Sequence, residues 1–221
     1  MDSTERLKQV SEQVRTCNKC KLHLSRRLAV PGEGPANCKI MLIGEGPGFH
    51  EKEQGRPFVG ASGKFLDELL KMAGLERSEV FITNVVKCRP PQNREPSEEE
   101  LLTCRPFLEE QIEIINPEVI VTLGRYSMAH FIENGKISYI HGHPRQINNR
   151  LIIPMYHPAA ALHQPSLKEV LLSDFSKIPG FLSKKPSSLN EIESQDESHL
   201  KDEIEQDEKK DNETRQLSLF G

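Results

Sequence analysis

The sequence predicts an α/β fold, with a central, mainly parallel sheet of four strands covered by helices on both faces. Three observations predict it. Four short apolar runs, at residues 40–43, 80–84, 119–123 and 151–155, are continuous rather than alternating, as strands buried on both faces are. Segments with apolar residues at helical spacing separate the runs, and strands that alternate with helices pair in parallel. Turn-forming residues end or soon follow the runs: Gly44, Asn84, Gly124 and Pro158.

Taken in order, Leu7, Val10 and Val14 recur at helical spacing behind Ser3 and Thr4, which predicts a first helix to about Arg15. Cys17-Asn18-Lys19-Cys20 follows it directly. The first strand, Ile40 to Ile43, breaks into the loop Gly44-Glu45-Gly46-Pro47-Gly48. Phe65, Leu69 and Leu70 mark a helix that ends near Gly74. The second strand runs from Val80 to Asn84 and exits into a proline-rich loop, Cys88-Arg89-Pro90-Pro91. Pro96 and Ser97 open the next helix, whose first turn carries Glu98, Glu99 and Glu100, where the helix dipole favours carboxylates. Its core stripe is Leu101, Leu108, Ile112 and Ile115, Pro106 is expected to kink it, and Asn116-Pro117 stops it. Val119 to Leu123 is the third strand, and a short helix follows Gly124 and Arg125 through Phe131. Leu151 to Met155 is the fourth strand, ending in Tyr156-His157-Pro158. A closing helix is expected over 166–178.

At 221 residues the chain is long enough for one good core with an appendage. Hydrophobic residues are 36% of it and tryptophan is absent, and the deficit is local. Residues 183–221 carry 11 acidic and 6 basic side chains, whereas residues 1–182 carry 22 and 23. The net charge of −4 therefore belongs to the tail, and no basic excess announces nucleic acid. The first residues have no apolar leader segment, and no run of 18 apolar residues occurs, which predicts a cytoplasmic protein with no membrane partner. The domain plan is a catalytic unit over 1–182, a disordered acidic linker over 183–215 and a short apolar peptide over 216–221.

Five cysteines in a chain of this kind point to metal or catalysis rather than to a disulfide framework. Cys17 and Cys20 stand in a C-x₂-C pair, and Cys88 and Cys104 flank the proline-rich loop. Four thiolates suit structural zinc or an iron–sulfur cluster, and spacing does not separate the two. Cys38 lacks a partner in spacing and is expected to be a small core residue. Lys19, Lys21, Arg89, Arg94 and Arg105 lie among the cysteines as a basic rim suited to phosphate.

The loop 44–48 sits where ligands bind in open α/β sheets, at a strand's carboxyl end. Its glycines fit neither the G-x-G-x-x-G dinucleotide fingerprint nor a P-loop. Glu45 is its one charged side chain. Asn84 ends a neighbouring strand and offers a donor and an acceptor, as reading one edge of a base requires. Phe58 supplies an aromatic wall and His157 ends the fourth strand. Glu45, Phe58, Asn84 and His157 together make a polar pocket with one stacking face, the expected active site.

Gly44-Glu45-Gly46-Pro47-Gly48, Gly55-Arg56-Pro57-Phe58-Val59-Gly60, the run from Thr83 through Asn84, Lys87 and Cys88 to Pro91, and His157-Pro158-Ala159-Ala160 occur in that order. With the four cysteines, they resemble family 4 uracil-DNA glycosylases over about residues 5–180. The resemblance implies a three-layer α/β/α fold, a 4Fe–4S cluster on Cys17, Cys20, Cys88 and Cys104, and removal of uracil from DNA as the start of base excision repair. It implies that the Gly46 backbone and Asn84 contact the uracil, that Phe58 stacks on it and that His157 bonds its O2. Glu45 and Glu51 would support the chemistry, Glu45 by stabilising the sugar cation or orienting water. Related families keep an aspartate in the first motif to position water, and here Gly46 stands in that place. The protein is expected to act as a monomer on DNA, associated with the nucleoid. The alternatives are a non-catalytic iron–sulfur protein that binds DNA and responds to redox state, and a zinc-stabilised hydrolase of another nucleotide-like substrate.

The tail carries a second resemblance. Gln216, Leu217, Ser218, Leu219 and Phe220 are similar to the peptide motif by which bacterial proteins bind the sliding clamp. At the end of a flexible tether such a motif would raise the enzyme's concentration at the clamp.

Overall fold

The computed structural model describes residues 1–182, and each apolar run becomes a strand of one sheet. Helix α1 (Ser3–Thr16) opens on Asp2, whose side chain accepts the Glu5 N–H at 2.8 Å, and it buries Leu7, Val10 and Val14. After the turn at Cys17 and Cys20 come a single helical turn, α2 (Leu22–Ser25), and then β1 (Ile40–Gly44). The polar run behind the glycine loop is itself helical, α3 (Phe49–Gln54), and α4 (Ala61–Met72) follows. Strand β2 (Val80–Asn84) leads through the proline-rich loop to α5 (Glu98–Ile115). Ser97 caps α5 reciprocally with Glu100, one of the three carboxylates of the first turn. Pro106 lies inside α5, and the helix runs past it unbroken.

Strand β3 (Val119–Leu123) is followed by two short helices, α6 (Arg125–Ala129) and α7 (Ile137–Ile140). A hairpin, β4 (Arg145–Ile147) and β5 (Arg150–Met155), then gives way to α8 (Pro158–His163), α9 (Ser166–Ser176) and α10 (Ile178–Leu182). The expected closing helix thus divides at Lys177.

The sheet order is β2-β1-β3-β5-β4, with the first four strands parallel. It has five strands, one more than the sequence predicts. The extra one, β4, is antiparallel to β5 across Asn148 and Asn149, both in the left-handed region, as a two-residue hairpin turn requires. Three residues reading Arg-Gln-Ile carry too little apolar pattern to register as a strand. Strands β1, β2 and β3 are buried along their whole length, and largely apolar, because helices cover both faces. Cys38 is buried, as expected of a core thiol.

The chain runs from β1 outward to β2, then returns past β1 to β3. The carboxyl ends around this reversal of direction carry Gly44, Asn84 and Gly124, with His157 just beyond β5. That is the crevice in which open α/β sheets bind ligands.

Candidate active site

A cavity of about 170 Å³ opens at this edge, walled by Gly46, Gly48, Glu51, Phe58, Ser62, Asn84, His157 and Ala159. It is the size class of cavities known to hold one six-membered ring. Register creates it. Gly44 pairs with Asn84 in the sheet, and a side chain at Gly44 would strike Asn84 Oδ1 and sit 2.7 Å from the Phe58 ring. Only glycine leaves that wall open.

Asn84 is 1% exposed, and its Oδ1 has no hydrogen-bond partner. A buried amide oxygen without a partner is costly, and its position in a cavity wall marks it as a waiting acceptor. The Asn84 backbone carbonyl, by contrast, accepts from Lys87 Nζ at 2.8 Å. Lys87 is 1% exposed and donates also to Thr83 Oγ1 (2.6 Å) and Gln111 Oε1 (2.7 Å). Three acceptors match the three N–H bonds of an ammonium group. Burial pulls the Lys87 pKa down to about 7, the nearby Cys104 opposing.

His157 caps α8 through its ring, since Nδ1 accepts the Ala159 N–H at 3.1 Å. Burial lowers its pKa to about 4, with Glu51 pulling the other way. The ring is therefore neutral at physiological pH, and with Nδ1 occupied as an acceptor its proton sits on Nε2. It packs against Phe58, ring centroids 5.6 Å apart and tilted by 27°.

Phe58 is held in an unusual backbone state, left-handed at φ 49°. Arg77 fixes it, donating to the carbonyls of Pro57 (2.6 Å) and Phe58 (3.2 Å) while anchored on Glu33 and Asp67. Gly63 in α4 passes so close to the Phe58 carbonyl that no side chain fits there. Glu51, 7% exposed, accepts the Val59 and Gly60 N–H groups on Oε1, both at 3.0 Å, at the start of α4. It clamps the Phe58 turn and lines the cavity at once. Glu45 is half-buried, its pKa raised by burial against the pull of Arg125, and it is not one of the cavity-lining residues. The structure thus brings Gly46, Glu51, Phe58, Asn84 and His157 around one space and leaves Glu45 at its margin.

Cys17, Cys20, Cys88 and Cys104 line a second, apolar cavity between the end of α1, the loop after β2 and α5. The Lys87 N–H donates to Cys104 Sγ at 3.3 Å, and Arg26 reaches Cys88 Sγ at 3.7 Å. Burial raises the pKa of Cys20, Cys88 and Cys104, the last to about 11. Four cysteine side chains lining one cavity are a donor set of the kind that fits a metal group. Among the described residues no three His, Cys, Asp or Glu side chains converge tightly enough for a single ion. Of the basic rim, Arg94 pairs with Glu100 and Arg105 with Glu109, while Lys19 lies over Phe107 and Arg89 over Phe49.

The sequence assigns no role to Ser62 and Ala159 in the wall, or to Lys87, Arg77 and Glu33 behind it. Lys87 carried one signal, a lone lysine inside the apolar run Val85-Val86-Lys87-Cys88. Residues 183–221, with the linker and the terminal peptide read from sequence, lie outside the described residues. Among the described residues no helix is long and apolar enough to cross a membrane.

A family model described as the uracil DNA glycosylase superfamily matches residues 31–178. The chain is 49% identical to the type-4 uracil-DNA glycosylase of Sulfurisphaera tokodaii, over 80% of this chain and 84% of that relative. It is 45% identical to the type-4 enzyme of Thermotoga maritima, over 79% of this chain and 94% of the other. To a type-5 uracil-DNA glycosylase of Thermus thermophilus it is 36% identical, over 58% and 68% of the two chains.

Proposed function

The chain belongs to the type-4 branch of the uracil-DNA glycosylase superfamily, and on that premise we propose how it excises uracil from DNA. The observation that carries the reading is the buried, unpartnered Oδ1 of Asn84, a residue in the wall of a cavity of one-ring size. Uracil rotated out of the stack offers N3–H to that oxygen and O4 to the Asn84 amide N–H. Cytosine has no N3–H and presents an amino group at position 4, so it mismatches Asn84 twice. Phe58 stacks on the ring, and the Gly46 backbone borders it.

Cleavage breaks the bond between the sugar C1′ and uracil N1, and the electron pair leaves with the base. Negative charge then gathers on O2, where His157 Nε2–H donates. A neutral donor preorganised by its bond to the Ala159 N–H costs no reorganisation at that moment. Positive charge grows at C1′ and water adds there, losing a proton. Glu51, inside the cavity, stabilises that charge and orients the water, and Glu45 contributes its carboxylate from the margin. With Gly46 in place of an aspartate, no closer carboxylate competes.

The four cysteines are assigned to a 4Fe–4S cluster. All four line one cavity, which supports a shared metal group, and the type-4 resemblance favours a multi-iron cluster over zinc. When bound, the cluster supplies covalent ties among α1, the loop after β2 and α5. The tail, on its sequence alone, is assigned to a linker over 183–215 and a peptide at Gln216, Leu217, Leu219 and Phe220 that docks on the sliding clamp. Such an enzyme works in the cytoplasm, on the nucleoid.

The deciding experiment is release of free uracil from a labelled oligonucleotide, run beside a cytosine control. Wild type is expected to release uracil only, and Asn84→Ala to lose most of that discrimination. No release by purified, iron-loaded protein overturns the reading.

A further inference from the structure

Lys87 is the largest fully buried side chain of a polar kind, and nothing in the chemistry above uses it. Its two ends face two sites. Its backbone N–H donates to Cys104 Sγ, in the cysteine-lined cavity. Its side chain folds back along the chain, and the ammonium grips the Asn84 carbonyl and the Thr83 hydroxyl. The third acceptor, Gln111 Oε1, comes from α5, the helix that also carries Cys104. Gln111 is itself fixed, its amide donating to the Pro31 carbonyl at 2.7 Å.

Asn84 needs such support. Its side chain makes no bond through Oδ1, and beyond it the strand pairing ends. The next residues bond to the glycine loop instead, Val85 N–H to the Gly44 carbonyl and Val86 N–H to the Glu45 carbonyl. Precision at a binding group comes from the shell behind it. A buried amine among three neutral acceptors is an expensive way to fill space, since methionine or leucine would do so without desolvating a charge.

We propose that Lys87 is the positioning residue of the base-reading site, fixing Asn84 through its carbonyl and joining it to Gln111 and Cys104 of α5. The role rests on the assignment of Asn84 to uracil recognition. Lys87 touches no substrate, and it acts by holding the amide in the orientation that accepts N3–H. Loss of the ammonium weakens ground-state and transition-state binding of the base alike, so the effect falls on KM more than on kcat.

The test uses full-length, iron-loaded protein and Lys87→Met, which keeps length and removes every side-chain donor. Backbone hydrogen exchange over 84–86, followed by mass spectrometry, is expected to quicken about tenfold, with exchange over 119–123 unchanged, as for one lost hydrogen-bond anchor. In uracil release, KM is expected to rise about tenfold with kcat within threefold. In an Asn84→Ala background the same substitution should change kcat/KM by less than about twofold, because nothing is left to position. Iron content and absorbance near 400 nm should stay at the wild-type level, since the backbone N–H to Cys104 survives. If Lys87→Met does not fold, Thr83→Val removes one of the three acceptors at constant shape and should shift exchange and KM in the same direction. Unchanged exchange over 84–86, or losses that add in the double variant, overturn the proposal. Quickened exchange in a protein that releases no uracil upholds the positioning role and overturns the glycosylase reading instead.

Discussion

His157 does two things at once, and they can be taken apart. Its Nδ1 caps α8, its proton sits on Nε2, and the residue lines the cavity. His157→Ala removes both, and is expected to cost about 1 kcal/mol of stability for the lost cap. The rate of uracil release should fall by about 10²–10³-fold, the loss that follows removal of one preorganised donor to a developing oxyanion. His157→Asn separates the roles. A short amide is a good N-cap, so stability should return to within a few tenths of a kcal/mol, while a side chain too short to reach the base leaves the rate low. The pH dependence carries the sign. With a folded-state pKa near 4 against an ordinary 6.5, the unfolded chain takes up the proton first as pH falls. Stability is therefore full above pH 6.5 and declines toward pH 4, by up to about 3 kcal/mol, in wild type but not in either variant. The catalytic donor, being neutral already, persists through the same window, so kcat should show no His157 inflection between pH 5 and 8. Urea unfolding and single-turnover release at pH 7.5, 6.0 and 5.0, on all three proteins, make the measurement. An inflection near pH 6.5 that disappears in His157→Asn, or full activity in that variant, refutes the neutral-donor argument.

Gly44→Ala should fold but lose at least about 10²-fold in kcat/KM, because its methyl group crowds Asn84 Oδ1 and the Phe58 ring where the base enters; binding of a uracil-containing oligonucleotide and its cleavage report it. Arg77→Met frees the carbonyls of Pro57 and Phe58 and should raise KM while costing about 1–3 kcal/mol in thermal unfolding. Cys88→Ala or Cys104→Ala should lose iron and the absorbance near 400 nm, whereas stoichiometric zinc without labile sulfide in wild type would contradict the cluster. Removing residues 183–221 should leave uracil release from short oligonucleotides unchanged, and Leu219→Ala with Phe220→Ala should abolish binding to purified bacterial clamp; equal binding by both proteins would make the terminal peptide a chance match.

The strands, the long helices and the four cysteines were legible in the residues because each is written locally. A buried strand shows as an apolar run, α1 and α5 show as stripes behind Ser3-Thr4 and Pro96-Ser97, and a C-x₂-C pair needs only its own spacing. Asn84 and His157 were legible for the same reason, as polar residues at the carboxyl ends of apolar runs. The edge strand β4 was not, since three residues form a strand only where β5 offers a partner. Nor was it legible which carboxylate lines the cavity. Glu45 and Glu51 both follow the first strand, and only the helical turn of α3, which was read as a polar run, carries Glu51 into the cavity wall. The left-handed turn at Phe58 depends on Arg77 and Gly63, and the hold on Asn84 depends on a lysine whose acceptor Gln111 lies on a separate helix. A local pattern reveals what the backbone does with its neighbours. Partnerships between distant residues leave no periodic trace, because their specificity resides in distances and angles that exist only once the sheet has set the register.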